Sequence, residues 1–207
     1  MSPVPPVFAI VLAAGRSSRF GSDKLLAPLH GRPVLAHVLD AVTASARSGT
    51  LRAVFVVVRD PHGPEARLGE DAGAIVVVAP RADEGLALSL RAGLERATAT
   101  SPAHAAALVV LGDQPALRPD VIDEVVRRWR VSGADAARPR YAGEPGEPGH
   151  PVLLDRRLWA DIALLEGDSG PGHYLKTRSV ELVDLPGRNP DIDTPADLAG
   201  FSLPETT

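Results

Sequence analysis

The sequence predicts an α/β fold: a single-domain, doubly wound and mostly parallel sheet, with a small β extension in its second half. Three observations carry that expectation. Short apolar runs rich in β-branched residues recur at Val7 to Ala14, Arg52 to Val58, Ala74 to Ala79 and Ala105 to Leu111, each the length of a buried strand. Helix-period stretches separate several of them, and strands alternating with helices close into a parallel sheet with right-handed crossovers. Each run empties into a turn containing Gly, Asp or Pro. In open parallel sheets, ligands bind at those carboxyl ends of the strands.

The first run ends in Gly15-Arg16-Ser17-Ser18-Arg19-Phe20-Gly21-Ser22-Asp23-Lys24. Gly15 and Gly21 permit positive φ and close backbone approach, which turns amides toward an anion. Arg16, Arg19 and Lys24 surround this bare main chain with positive charge. The combination suits a triphosphate; an ordinary strand-to-helix turn with solvated cations is the competing reading. The Walker A and Gly-x-Gly-x-x-Gly spellings are both absent. After Gly31-Arg32-Pro33, residues Val34, Leu35, Val38, Leu39 and Val42 make one buried helix face. A helix from about Gly85 to Ala97 puts Leu86, Leu90 and Leu94 on one side. Pro119 opens another at a position proline favours, with Val121, Ile122, Val125, Val126 and Trp129 as its stripe. Beyond Gly133, the stretches Ala134 to Arg140, Pro151 to Leu154 and Ser179 to Leu185 read as strands, and Arg156 to Leu165 and Gly170 to Thr177 as helices. Tyr141 to Gly149, rich in Gly, Pro and Glu, reads as a mobile loop over the site. A last helix follows Pro195.

Composition narrows the classes. The chain has 207 residues, 44% apolar and 23% charged, the proportions of a soluble globular protein with a full core. A net charge of −4 without a basic stripe argues against nucleic acid as a bulk partner. There is no cysteine, which excludes a disulfide framework, a thiolate nucleophile and a thiol metal site. Met1 to Pro6 lacks basic residues, and no apolar run approaches the roughly 20 residues of a membrane span. The expectation is a cytoplasmic protein with no membrane contact.

Two acidic elements carry the chemistry. Asp113 closes a strand in Gly112-Asp113-Gln114-Pro115. Opposite a cationic phosphate loop it is placed to hold Mg²⁺, which favours one or two carboxylates plus substrate phosphates; capping a turn is the other use of such an Asp. Asp191 and Asp193 flank Ile192 ahead of Thr194-Pro195. In an extended segment both carboxylates point the same way. Asp193 or Thr194 also suits a helix N-cap, with Pro195 at the first helical position and Asp197 against the dipole.

Leu12-Ala13-Ala14-Gly15-x-x-x-Arg19-x-Gly21-x-x-Lys24-Leu25-Leu26 resembles the signature loop of the MobA-like nucleotidyltransferases, and within them is most similar to the molybdenum cofactor cytidylyltransferases. Gly112-Asp113-Gln114-Pro115 is similar to the family's Gly-Asp-x-Pro metal motif, and Glu84-Gly85-x-x-x-Ser89-Leu90 to its stretch on the nucleotide-base side. Gly149-His150-Pro151 resembles its acceptor-side element, Gly167-Asp168-x-Gly170 a further motif, and Asp191-Ile192-Asp193-Thr194-Pro195 its closing element. These elements follow in order over about residues 7 to 200.

The resemblance implies a Rossmann-like nucleotidyltransferase fold with Mg²⁺ as cofactor, held by Asp113 and by Asp193 or Asp191. It implies nucleotide contacts from Leu12, Ala13, Ala14, Gly15, Arg16, Arg19, Lys24, Glu84, Gly85, Ser89 and Gly112, with Lys24, Arg19 and Asp113 as catalytic groups. Gly149, His150, Pro151, Asp168 and Gly170 fall on the acceptor side. The implied reaction moves a nucleoside monophosphate from an NTP to a phosphate-bearing acceptor and releases pyrophosphate. Ala13-Ala14-Gly15, where guanylyltransferase relatives usually show Ala-Gly-Gly, favours CTP; the acceptor is then Mo-molybdopterin and a molybdenum hydroxylase a candidate client. The sequence departs from the family at Gly172, where the motif begun by Gly167-Asp168 usually carries Arg, and that departure bears on the acceptor. GTP as donor, or a sugar phosphate, methylerythritol phosphate or phospholactate acceptor, are the enzyme alternatives. A non-catalytic accessory protein for the molybdenum cofactor is the alternative of another class; Lys24, Asp113 and Asp193 occurring together argue against it.

Overall fold

The computed structural model describes residues 4–15, 20–101, 104–144, 146 and 148–203. In chain order the elements are β1 (Val7–Leu12), the two-residue strands β2 (Pro28–Leu29) and β3 (Arg32–Pro33), α1 (Val34–Arg47), β4 (Ala53–Val58), α2 (Pro64–Asp71) and β5 (Ile75–Val78). There follow α3 (Leu86–Thr100), β6 (Ala106–Leu111), α4 (Pro119–Ser132), β7 (Ala136–Tyr141), β8 (Val152–Asp155), α5 (Trp159–Ile162), α6 (Pro171–Leu175), β9 (Val180–Leu185) and α7 (Pro195–Ala199).

Seven strands form one sheet in the order β5-β4-β1-β6-β8-β7-β9. All neighbours pair in parallel except β8, which runs antiparallel to β6 and to β7. The β extension expected in the second half is therefore a continuation of the main sheet, entered through one reversed strand. Both faces are covered, as parallel sheets require. The side-chain period of two sorts β1 between them. Val7, Ala9, Val11 and Ala13 join the core under α1 and α4, while Phe8, Ile10, Leu12 and Ala14 join the core under α3 and α5. Gly93 lets α3 press onto the sheet, since a Cβ there would collide with Ile10.

The expected strands and long helices are present, and the stripe of α4 from Val121 to Trp129 is buried throughout. Three features differ from expectation. Helix α2 was not legible because it buries only Ala66 and Gly69 and has no apolar stripe. The helix expected over Arg156 to Leu165 shrinks to a 3-10 turn at Arg156–Leu158 and the single turn of α5. The loop after β7 does not line the central cavity with its described residues. Instead Ala142 and Gly143 donate to the carbonyls of Leu185 and Gly187, tying the loop to the end of β9.

A third, small cluster places the C-terminal segment. Ile192 is fully buried against Leu29 and Val34, and its amide donates to the Asp113 carbonyl at 3.0 Å. The apolar residue between two aspartates thus anchors both beside the end of β6.

Candidate active site

The carboxyl ends of β1 and β6 open into a cavity of about 540 Å³ lined by Leu12, Ala14, Gly15, Lys24, Leu25, Ala82, Asp83, Gly85, Leu86, Ser89, Leu111, Asp113 and Asp168. Segments separated by more than 150 residues meet here, the ends of β1 and β6 on one rim and the segment of Asp168 beside them. Lys24 opens a 3-10 turn capped by Asp23, whose carboxylate accepts from the Leu25 amide at 3.0 Å. Its Nζ lies 2.6 Å from Asp113 Oδ2 and 2.7 Å from Asp193 Oδ1. Burial pulls the Lys24 pKa down, but Asp113 and Asp193 together outweigh it and hold the ammonium above its ordinary value.

The two aspartates thus converge on one cation. The remaining oxygen of Asp113, Oδ1, is buried without a hydrogen-bond partner, a costly state for a carboxylate oxygen and one that a metal ion would relieve. Among the described residues no group of three His, Cys, Asp or Glu side chains gathers as a metal cage. The donor set fits Mg²⁺, which is held by one or two carboxylates and completed by substrate phosphates and water.

Asp191 takes a different partner. It accepts from Gln114 Nε2 at 2.6 Å, so the two aspartates flanking Ile192 divide between Gln114 and Lys24. Burial first, then the nearby Asp113, raise its pKa, with Gln114 opposing. Gln114 in turn accepts from Asn189 Nδ2 at 3.1 Å, and both amides are buried. Thr194 and Asp197 form a full capping box on α7, so the capping role falls to Thr194 and leaves Asp193 for Lys24.

Other residues singled out from sequence are distributed as follows. Arg16 and Arg19 lie outside the described residues. Gly21 has φ +79°, whereas Gly15 has no positive φ, so Gly15 is needed for exposed backbone and not for a left-handed turn. Ala13 points into the opposite core. Gly112 lets β6 end close to β1, a Cβ there falling 2.9 Å from the Leu12 carbonyl oxygen. Ser89 lines the cavity from α3. Glu84 does not; it turns to the surface and pairs with Arg81 at 2.6 Å, and its neighbour Asp83 faces the cavity instead. Asp168, expected on the acceptor side, also lines this cavity. It is brought there by a backbone crossing: the Ala87 amide donates to the Gly167 carbonyl at 3.1 Å, and a Cβ on Gly85 (φ +140°) would fall inside the Gly167 backbone. Arg91 on α3 pins the same segment through the carbonyls of Ala163 and Leu165.

A second, smaller cavity of about 100 Å³ shares Leu12, Leu86 and Leu111 with the first and is completed by Val109, Arg138, His150, Val152, Gly170, Pro171 and Gly172. Gly149 lies outside its lining: its amide donates to Pro139 and its carbonyl accepts from Arg138 Nε at 3.2 Å. The His150–Pro151 peptide is cis. Burial, reinforced by Arg138, pushes the His150 imidazole down to about 4, so it is neutral at physiological pH. Gln114 and Asn189 had no signal in sequence spacing, because they act through contacts between distant segments; Arg138 is placed by the loop ahead of β8, and Asp83 by the 3-10 turn at Ala82–Glu84.

A mostly parallel sheet whose central strand runs into Ala13, Ala14 and Gly15, with a lysine and two aspartates on the same rim, defines an α/β protein with a ligand cavity at the carboxyl ends of its strands. Residues 9–182 match the MobA-like NTP transferase domain, and the chain belongs to this family of nucleotidyltransferases. A probable molybdenum cofactor guanylyltransferase of Pyrococcus horikoshii is 33% identical over 70% of this chain and 67% of its own. One of Thermococcus gammatolerans is 28% identical over 84% and 81%. Among solved structures, Rv0371c of Mycobacterium tuberculosis superposes with a TM-score of 0.75 at 28% identity, over 95% of this chain and 97% of that one. The same protein has been solved in complex with manganese, with a TM-score of 0.72, 27% identity and coverage of 94% and 96%. No helix among the described residues is long and apolar enough to cross a membrane.

Proposed function

We propose that the chain, acting as one domain over about residues 7–200, transfers a nucleoside monophosphate from CTP to the phosphate of a molybdopterin-type acceptor, with Mg²⁺ and release of pyrophosphate. The observation that carries this reading is the convergence of Asp113 and Asp193 on Lys24 at the cavity rim, with Asp113 Oδ1 buried and unpartnered. The name carried by the curated relatives supports the acceptor class. CTP as donor rests on Ala14, which lines the cavity within the Ala13-Ala14-Gly15 spelling, where the resemblance leads one to expect Ala-Gly-Gly in a guanylyltransferase. GTP is the competing donor.

In this reaction an acceptor phosphate oxygen attacks the α-phosphorus, the bond from the α-phosphorus to the bridging oxygen breaks, and pyrophosphate leaves with the electron pair. Catalysis of this kind is positioning and charge neutralisation. Asp113 and Asp193 would hold the divalent ion, which supplies positive charge to the phosphate oxygens. Lys24 exchanges its aspartate partners for the triphosphate and neutralises charge as the bond to the leaving group lengthens. The backbone at Gly15, bare of side chain, lies against the phosphates, and Ser89 and Asp83 face the nucleoside. No covalent nucleophile takes part.

The test is pyrophosphate release with each of the four NTPs, with and without Mg²⁺ and molybdopterin cofactor, beside Asp113→Asn. Acceptor-dependent release from CTP, lost in the variant, supports the full reading. Release from GTP alone moves the donor and overturns the role given to Ala14. Cofactor binding without release from any NTP overturns catalysis and points to an accessory protein.

A further inference from the structure

The two cavities share Leu12, Leu86 and Leu111, and a buried chain of side-chain amides runs from the aspartates beside the larger one to the segment that lines the smaller. It starts at Asp191, whose carboxylate accepts from Gln114 Nε2 at 2.6 Å. Gln114 Oε1 accepts from Asn189 Nδ2 at 3.1 Å, and the same nitrogen donates to the His150 carbonyl at 3.4 Å. That carbonyl also accepts from the Tyr141 hydroxyl at 2.9 Å, and His150 lines the smaller cavity. Gln114 and Asn189 are both buried, so water does not compete for these bonds. A carboxylate only accepts hydrogen bonds, while a primary amide presents oxygen and nitrogen to different partners. With its nitrogen on Asp191, Gln114 has its oxygen left for Asn189, which must then present nitrogen. The Asn189 oxygen is buried without a hydrogen-bond partner, a rare state for a buried polar atom. Turning the Asn189 amide over would not relieve it, because the oxygen would then face the oxygens of Gln114 and His150. The orientation of both amides is therefore set from Asp191, and the unpaired oxygen of Asn189 is the consequence.

We propose that Asn189 is a positioning residue: through Gln114 on one side and the His150 carbonyl on the other, it makes the smaller cavity respond when the larger one is filled. This rests on the function proposed above, with the triphosphate in the larger cavity and the acceptor in the smaller, and deepens it by supplying the link between them. The chain of amides begins where a triphosphate acts. Ile192, next to Asp191, donates its amide to the Asp113 carbonyl, and Asp193 beyond it meets Asp113 at Lys24. A triphosphate that draws Lys24 toward itself therefore acts on both segments that Gln114 joins: its own, one residue past Asp113, and that of Asp191. Hydrogen bonds weaken steeply when they are misaligned, so a displacement of Gln114 alters the hold of Asn189 on the His150 carbonyl. The Asn189 main chain is held from elsewhere, its amide donating to Glu144 Oε2 at 3.2 Å. Its side chain is thus the moving link. Such coupling is reciprocal, so filling the smaller cavity changes affinity in the larger by the same factor.

The test reads the His150 imidazole by NMR, its signal assigned by its loss in His150→Gln, while inorganic triphosphate and Mg²⁺ are added. Calorimetry on the same samples reports whether the triphosphate binds. In wild type the His150 signal should move on binding. In Asn189→Leu, which removes the amide at similar size, triphosphate should still bind and the His150 signal should stay in place. Gln114→Met cuts the chain one link earlier and should do the same, so the answer does not hang on the folding of one variant. Triphosphate binding with no movement in wild type, or with equal movement in the variants, overturns the proposal and leaves the function above intact. Triphosphate that does not bind wild type sinks that function and the proposal with it. The expected NMR pattern without pyrophosphate release from any NTP keeps the proposal and sinks catalysis alone. In turnover, acceptor KM in wild type should change by about fivefold or more between low and saturating NTP, and in both variants it should not depend on NTP. A purely structural asparagine would lower the thermal midpoint on substitution and leave that dependence in place, which overturns the proposal.

Discussion

The two rims of the sheet each carry a cavity, an aspartate with little exposure and nearby cations, yet they use them in opposite ways. At the carboxyl rim, Asp113 gives one oxygen to Lys24 and keeps the other buried and unpartnered. At the opposite rim, a larger depression of about 650 Å³ is lined by Val4, Pro5, His104, Trp129, Arg130, Gly133, Asp155 and Arg157. There the Asp155 side chain is only 3% exposed, and both oxygens are engaged. Oδ1 accepts from the Arg157 amide and from Arg157 Nε, each at 3.0 Å, and Oδ2 lies 3.3 Å from His104 Nε2. Among the described lining residues of that depression, the buried atom without a partner is the neutral donor Trp129 Nε1, whose burial costs less than that of a carboxylate oxygen. Volume and charge therefore do not separate a working site from a structural one. Between these two cavities the difference is unsatisfied carboxylate capacity next to a lysine; buried, unpartnered carboxylate oxygen alone is no mark of a site, since Asp123 Oδ1 on α4 is in that state and lines neither cavity.

The sharpest way to break that contrast is to remove each carboxylate in turn. Asp113→Asn should lower pyrophosphate release roughly a thousandfold, the scale of losing a metal's charge at the reacting phosphate, while its thermal midpoint stays near wild type. Asp155→Ala should do the reverse. It removes an N-cap and hydrogen bonds to a charged group, together about 2–3 kcal/mol, and the folded fraction should keep its turnover. A stable Asp155→Ala protein with impaired turnover would erase the distinction between the rims.

A pH experiment sharpens the contrast within the carboxyl rim. His150 is pushed down to about 4 in the fold and returns to about 6.5 when unfolded. Between those values the unfolded chain binds more protons, so stability rises with pH across this window and is lost as pH falls through it. Glu65 acts in the opposite sense. Burial and the neighbouring Asp23 raise its carboxyl to about 7, so its contribution is present at low pH and fades as pH rises toward 7. The readout is therefore the difference in unfolding free energy between wild type and His150→Gln, which should grow in the variant's favour by up to about 3 kcal/mol on acidification. A flat difference would mean that His150 is solvated and charged like a surface histidine.

The smallest effect is expected at Glu84. Its pairing with Arg81 is an exposed ion pair three residues apart, a class worth about 0–1 kcal/mol. Glu84→Gln should leave NTP KM within about twofold of wild type, whereas Asp83→Asn, on the cavity side, should change it. Equal effects of the two would return Glu84 to the nucleotide site.

The strand runs, the α4 stripe and the order of the six motif elements were legible because each is a local pattern: a period of two or 3.6, or a short run of residues at a turn. Asp113 was legible as a candidate because it closes an apolar strand, whereas Lys24 and Asp193 were legible through the resemblance of the segments that carry them to the family's loop and closing element. What each candidate faces was not legible. Glu84 and Asp83 are adjacent in sequence, and only the 3-10 turn at Ala82–Glu84 decides which of them points inward. Asp168 was read on the acceptor side from the resemblance of Gly167-Asp168-x-Gly170 to a family motif; the crossing of Gly85 and Gly167 brings it to the larger cavity.

By itself, then, the sequence determined the layers of the fold and the chemistry available at the strand ends, since hydrophobic periodicity and turn chemistry act over a few residues. Tertiary structure decided the partners. Ile192 is buried against Leu29 and Val34, so Asp193 lies beside Lys24 and Asp191 beside Gln114. Strand β8 runs in reverse between β6 and β7, and Arg138 and Gly172 come to line one small cavity. These pairings join residues 34 to 169 positions apart, and no local pattern encodes a contact that exists only after the sheet has closed.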